Sequence, residues 1–302
     1  MGADLKAIAT PPADASRVAA IRDCLDLRDA EAVAAFGERA RLEVAASVQR
    51  ILAEVRSAET QEAADQLRTT AELIAAKDPA RLEVRGPLRL FVGRRKRLAR
   101  FKAEFQDAAA LVETLAGDLS EGAERLARRS TVLDRLHDQA KTFILELDAY
   151  VDAGRLARSG AQAPAAGAIE TLDARLETLA ATRRCAVEQL SLIRRIQNVD
   201  APLADALSDA ARAARRWVAD WTELMGLTPE RRRKRIRPDV VALCETRALT
   251  LERLTAPAAT VAEARRRRAD AESEMEQTAR TLAASRRRDS TIGPRASGRN
   301  AL

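Results

Sequence analysis

Three runs of basic residues are the part of this sequence best suited to binding chemistry. They are RRRKRIR at Arg231–Arg237, RRRR at Arg265–Arg268 and RRR at Arg286–Arg288. Arginine offers a planar fork of donors to phosphate groups, lipid headgroups and small oxyanions, so the first run is predicted to bind an anion or an acidic partner. The residues of that candidate site are Arg231, Arg232, Arg233, Lys234, Arg235 and Arg237.

The alternative is that these runs are solvated faces of an arginine-rich chain. No aromatic residues interleave with them, as stacking on nucleic-acid bases would require, so nucleic acid is not favoured as a partner. Protein partners are expected, and docking on an anionic membrane surface and self-association stay open.

The cysteines offer a second chemistry, because a thiolate can attack and reduce an oxyanion. Cys24, Cys185 and Cys244 are more than fifty residues apart and form no CxxC pair. An odd number without paired spacing is typical of a reducing compartment, and buried cysteine usually behaves as a small hydrophobe. We therefore favour structural cysteines and keep a cysteine-dependent oxyanion reductase as an alternative.

Other catalytic chemistry has no motif in the sequence. The single histidine, His137, is predicted to be a partly buried structural residue, and there is no phosphate-binding glycine loop or nucleophile elbow. We therefore predict no catalytic residue, no metal site and no cofactor, and that the protein is not an enzyme. A polar group, Gln197, Asn198 and Asp200, is predicted to fix helix register or to line a polar spot between helices.

These residues are predicted to lie on helices. Aromatic residues make up only 3% of the chain and glycine only 12 of 302 residues, a composition that favours helices over strands. From Leu98 to Gly154, apolar residues recur in alternating steps of three and four, and Arg129 is among the few exceptions. The spacing predicts long helices at about 94–156 and 168–227, with a kink near Pro202.

The apolar stripe is three residues per heptad wide and mixes large and small side chains, which favours an intramolecular bundle over a dimeric zipper. The predicted fold class is therefore all-α, an elongated helical bundle built on a long antiparallel coiled-coil-like hairpin. The predicted parts are a loose N-terminal leader at 1–15, the bundle at 16–228, basic C-terminal helices at 229–285 and a disordered tail at 286–302.

Shorter helices are predicted on both sides of the hairpin. Before it, one runs over 16–27, a second opens at Asp29 with Gly37 inside it, and a third covers 60–76. After it, two helices are predicted at about 239–254 and 260–285.

Charge is distributed unevenly along the chain. Residues 229–302 hold 18 basic and 10 acidic side chains, whereas residues 1–228 hold 34 and 35. No apolar stretch is long enough to span a membrane, so a cytoplasmic location is predicted, with peripheral attachment at the inner face of the membrane as a further option.

Several short segments resemble a known bacterial family. They are Phe36-Gly37, RLARFKAEF at Arg97–Phe105, ELDAYVDAG at Glu146–Gly154, and LIRRIQNVD at Leu192–Asp200 followed by Trp217. Together they are similar to the toxic-anion resistance proteins of the TelA/KlaA type, which are associated with tellurite resistance. The chain departs from that family after Leu227, where it passes almost at once to the first basic run. The resemblance implies a phenotype class but no catalytic residues.

Three functional hypotheses follow. The first is a non-enzymatic helical binding or scaffold protein that contributes to resistance to toxic anions such as tellurite, in a stress response. The second is a coiled-coil adaptor that docks on an anionic membrane surface or an acidic partner through its basic C-terminal quarter. The third is the cysteine-dependent oxyanion reductase.

Overall fold

The computed structural model describes residues 13–56, 59–83, 93–162, 164–228 and 237–292. Within these ranges the chain is helical and contains no strand, so the all-α prediction is confirmed. The elements are α1 (Ala15–Asp23), α2 (Ala30–Ala35), α3 (Glu38–Val55), α4 (Glu59–Ala76), a 3-10 helix (Pro79–Glu83), α5 (Arg94–Ser159), α6 (Ala168–Leu224) and α7 (Val240–Ile292). Among the residues described, none of the helices is long and apolar enough to cross a membrane.

The two long helices of the predicted hairpin are present close to their expected bounds. α5 begins at Arg94 and extends three residues past the predicted end, while α6 begins at Ala168 and ends at Leu224. α6 follows Gly167 and ends before Gly226, both with positive φ, which is the conformation that suits glycine beside a helix terminus. Pro202 lies inside α6, and the kink at this position stays a prediction.

The second predicted helix is divided in the structure. α2 ends at Ala35 and α3 starts at Glu38, because Gly37 adopts φ of +69° between them. A left-handed residue cannot continue a right-handed helix, and glycine adopts that conformation at little steric cost.

The two predicted C-terminal helices are one helix, α7, with Pro257 inside it. A proline in a helix interior costs about 3 kcal/mol, but Leu254 and Val261 on either side are both buried in one core. Packing along that face therefore outweighs the lost backbone bond. α7 continues to Ile292, past the predicted start of the tail, while residues 293–302 and 1–12 lie outside the described ranges.

The described residues form two compact units. Unit 1 takes its residues from Met1–Arg56, Thr131–Gln197 and Ala269–Leu302, and unit 2 takes them from Ser57–Ser130 and Asn198–Arg268. Helices α5, α6 and α7 each contribute a segment to both units.

In unit 1, the segments of α5 and α6 run antiparallel. Asp148 of α5 pairs with Arg183 of α6, and further along α5 the backbone of Gly154 approaches Leu176. The core of this unit contains Ile144 of α5 and Ile193 of α6. It adds apolar side chains from α1 to α3 and from α7, including Ile21, Val33, Val44, Ile51 and Met275.

In unit 2, segments of α4, α5, α6 and α7 surround one core. The antiparallel arrangement of α5 and α6 is visible in the ring contacts, where Phe101 meets Trp221 and Phe105 meets Trp217. α4 contributes Leu67 and Ile74, which are fully buried against the same core.

Candidate functional site

The predicted anion-binding run lies almost entirely outside the described residues. Arg231, Arg232, Arg233, Lys234 and Arg235 fall in the undescribed segment 229–236, so their role stays a prediction. Arg237 is described and is exposed two residues before Asp239, whose carboxylate accepts from the first backbone N–H groups of α7.

The second basic run is divided by the helix that carries it. Arg266 and Arg267 both pair with Glu263 on the exposed face of α7, whereas Arg268 is only 5% exposed. Arg265 is also exposed, so three of the four arginines of this run face solvent and only Arg268 is withdrawn from it.

The polar group at the end of the LIRRIQNVD segment does not form one cluster. Gln197 donates to Asp134 and accepts from Arg194 in unit 1, at 3.1 and 2.7 Å. Asn198 is exposed, while Asp200 is only 2% exposed and lies in unit 2. Of the three, Asp200 belongs to a buried polar site.

Asp200 is the centre of a buried charge network formed by four helices of unit 2. Arg268 of α7 donates from Nε to Oδ1 at 2.8 Å and from Nη2 to Oδ2 at 2.6 Å, which is the bidentate geometry of a strong arginine–carboxylate pair. Nη1 of Arg129 on α5 lies 3.9 Å from Asp200 Oδ2. Nη2 of the same arginine donates to Glu59 in the first turn of α4.

The network places two positive and two negative groups together with little access to water. Arg129, Asp200 and Arg268 are each less than a tenth exposed, and the Glu59 side chain is 18% exposed. Burying an unpaired charge costs several kcal/mol, so each group depends on its partners. The network joins four helices, and of Gln197, Asn198 and Asp200 only Asp200 belongs to it, so the role in helix register stays a prediction.

Arg268, Arg129 and Glu59 were not predicted as members of this site, although the sequence positions of two of them indicate burial. Arg129 interrupts the apolar seam of α5, and Arg268 falls in register with Val261, Ala264 and Ala271 along the buried stripe of α7. An arginine in the phase of a buried stripe must find an acidic partner. Glu59 gave no comparable signal.

The cysteines lie in different environments. Cys24 is exposed, Cys244 is partly buried, and Cys185 is 8% exposed, with burial raising the pKa of its thiol. A raised pKa disfavours the thiolate that reduction would need, so Cys185 is poorly suited to that role. His137, predicted to be partly buried, is buried, with its Nδ1 3.5 Å from Asp138 and 3.4 Å from Arg194.

Two of the family-like segments meet in unit 1. The Phe36 ring packs edge-on against Tyr150, with 5.3 Å between ring centroids. A Cβ added at Gly154 would lie 3.1 Å from Phe36 Cε1 and 2.6 Å from Leu176 Cδ2, so this position needs a residue without a side chain. The Phe36-Gly37 and ELDAYVDAG segments therefore specify one close contact between helices.

Another pair of segments meets in unit 2. Phe105 of the RLARFKAEF segment packs edge-on against Trp217 at 5.3 Å, and Trp217 packs against Trp221 at 4.8 Å. Both tryptophans are fully buried, and Trp221 Nε1 donates to Thr246 on α7 at 2.9 Å. These residues form an aromatic core that joins three helices.

The fold and these sites define an all-α bundle protein whose distinctive residues hold helices together. A family model described as toxic anion resistance protein (TelA) matches residues 18–213, which is well over half of the chain. The chain belongs to this family, which confirms the resemblance, and the four segments from Phe36 to Asp200 lie within the matched residues, whereas Trp217 lies beyond them. No curated protein and no solved structure matches it. Arg268 lies beyond the matched residues, whereas Glu59, Arg129 and Asp200 lie within them.

Proposed function

We propose that the protein contributes to resistance to toxic anions such as tellurite as a non-enzymatic helical binding or scaffold protein of the cytoplasm. Membership of the toxic anion resistance family suggests the phenotype. The scaffold role is supported above all by the position of the family-like segments, whose residues make the contacts Phe36–Tyr150 and Phe105–Trp217 in two helical cores. Segments of this kind specify a shape that other proteins can recognise.

Complementation of a strain that lacks its own copy tests this proposal. The strain receives the wild-type chain or a variant with Cys24→Ser, Cys185→Ala and Cys244→Ser, and its survival on tellurite is measured. Alanine is used at the buried position because it introduces no polar group into the core. We expect equal protection by both chains.

Two results would contradict the proposal. If the wild-type chain gives no protection, the resistance phenotype does not apply to this protein. If the triple variant is present at wild-type levels and no longer protects, the thiols carry the activity and the reductase hypothesis replaces the scaffold.

A further inference from the structure

Unit 2 contains a groove of about 650 Å³ between α6 and α7, which we call the basic groove. Its floor includes Ala213 of α6 and Ala256 and Pro257 of α7. Ala213 and Pro257 are buried, and the short side chains at 213 and 256 leave the space between the two helices unfilled. The groove therefore arises from the choice of residues in regular helices.

Four arginines and one aspartate provide the charged lining of the basic groove. Arg212 pairs with Asp209, one turn earlier on α6. Arg215 donates to the carbonyl of Ala116 at 3.3 Å.

The other two arginines of the lining are Arg216 on α6 and Arg253 on α7. Both are exposed, and neither has an ion pair or hydrogen bond to the part of the chain that the structure describes. The basic groove thus presents two available guanidinium groups, one from each helix, beside two that are already engaged.

A smaller groove in unit 1 shows how the same residue types can be balanced. It encloses about 320 Å³, and its arginines are both paired, Arg17 with Glu146 and Arg39 with Glu43. Its formal charge is zero, whereas the lining of the basic groove carries four positive groups against one negative group, and Glu113, 3.9 Å from Arg215, still leaves an excess of two positive charges. Like charges on facing helices repel each other, and an anion placed between them would remove that cost.

We propose that the basic groove binds a polyvalent phosphate, meaning an anion with two or more linked phosphate groups. Guanidinium groups bind phosphate oxygens through two parallel hydrogen bonds, and linked phosphates concentrate charge more than carboxylates spread along a peptide. The volume lies within the range of about 300–1,000 Å³ typical of sites for larger ligands, and far above the roughly 30 Å³ that one water occupies, so a single small oxyanion would leave most of it empty.

This site goes beyond the proposed scaffold function, since a scaffold can act with the groove empty or filled. Inorganic polyphosphate and nucleoside polyphosphates share the required chemistry. Both provide a chain of phosphate groups that can contact Arg216 and Arg253 at the same time.

Isothermal titration calorimetry on the full chain tests the proposal, with inorganic triphosphate as the probe at an ionic strength of about 0.15 M. The site variant carries Arg216→Gln and Arg253→Gln. The matched control carries Arg50→Gln and Arg135→Gln, which removes the same charge from exposed arginines of unit 1. Circular dichroism checks that both variants retain the helical fold.

We expect one triphosphate to bind per chain, and the site variant to bind it at least about tenfold more weakly, because each lost contact is a charge-assisted hydrogen bond. The control should bind like the wild-type chain. Tighter binding of ATP than of triphosphate would assign a nucleoside polyphosphate, and equal binding would assign the phosphate chain alone.

Four results would overturn the proposal. They are the absence of saturable triphosphate binding, an equal loss in the control variant, orthophosphate or tellurite binding as tightly as triphosphate, and a short glutamate peptide binding as tightly as triphosphate. The first two results would show that the groove is not a binding site. The last two would show that its ligand is not a polyvalent phosphate.

Discussion

Both units bury arginine, but they satisfy the buried charge in different ways. In unit 1, Arg175 donates from Nε and Nη2 to the backbone carbonyl of Phe36 at 3.2 and 3.0 Å, and its Nη2 reaches Glu38 at 3.0 Å. In unit 2, Arg268 and Arg129 are bound to the side chains of Asp200 and Glu59. Both arrangements use opposite charges, because Glu38 pairs with Arg175 and with the buried Arg41, but the one in unit 1 adds a backbone carbonyl.

The difference shows which kind of change each unit should tolerate. Phe36 is the C-cap residue that follows α2, so its carbonyl lacks a partner within that helix, and Arg175 supplies one because the chain turns at Gly37. Unit 1 should therefore be sensitive to changes in backbone conformation at this turn. Unit 2 should be sensitive to the removal of a single charge from its buried network.

Removing the carboxylate of Asp200 is the strongest test of this comparison. Asp200→Ala leaves Arg268 buried and without its bidentate partner, so we expect a loss of about 3–5 kcal/mol in the free energy of unfolding. Urea unfolding followed by tryptophan fluorescence reports on unit 2, because both tryptophans, Trp217 and Trp221, lie in that unit.

The matched control is Asp209→Ala, which removes a carboxylate from the same helix. Asp209 and Arg212 form an exposed pair, with side chains 60% and 74% exposed, so the expected loss is at most about 1 kcal/mol. If both variants lose the same stability, the buried network contributes no more to the stability of unit 2 than an exposed ion pair does.

A side chain at Gly37 tests the backbone dependence of unit 1. Gly37→Ala forces a residue with a Cβ into φ of +69° and places that atom 2.7 Å from Leu179 Cδ1, so we expect a loss of about 1–3 kcal/mol. Urea unfolding followed by far-UV circular dichroism measures the change.

Gly117 on α5 provides the control, because a Cβ added there meets no heavy atom within 4 Å. Gly117→Ala should raise stability by about 0.5–1 kcal/mol, since alanine is favoured over glycine inside a helix. An unaffected Gly37 variant would show that the close approach of α6 to the Gly37 turn does not limit unit 1.

The smallest expected effect is on pH dependence in unit 1. Burial lowers the pKa of His137 below its ordinary value of 6.5, with Arg194 and Lys141 acting in the same direction. The folded state then binds fewer protons than the unfolded state, so stability falls as the pH drops through about 6.5 toward the folded pKa.

His137→Gln should reduce this loss. The measurement compares the free energies of unfolding of the wild-type and variant chains at about pH 8 and about pH 5.5, a range that spans the titration of an ordinary histidine. If the change in the free energy of unfolding between the two pH values is the same for both chains, groups other than His137 cause the pH dependence.

The long helices were predictable because their signal is local and repeated. Steps of three and four apolar residues over 98–154 fix one buried face, and α5 begins at the predicted residue. The break at Gly37 was not predictable in the same way. Its positive φ is accompanied by contact with Leu179, which is distant in sequence, so local propensity could not show it.

The buried network was predictable only in part. Asp200 could be singled out because it lies in the polar group of a helix that otherwise repeats apolar residues. Its partner Arg268 stands in a run of four arginines that resembles a solvated face, and only its register with Val261 and Ala264 distinguishes it. No sequence pattern indicates the basic groove, because whether Arg216 and Arg253 find partners depends on how α6 and α7 pack.

The way the chain passes between its units also bears on protein synthesis. Unit 1 combines the described part of Met1–Arg56 with the last segment of α7, where Met275 and Leu282 complete its buried clusters. The ribosome makes that segment after every other segment with which it packs in this unit. Folding of unit 1 must therefore finish late, and its early helices will expose apolar faces to chaperones while the rest of the chain emerges.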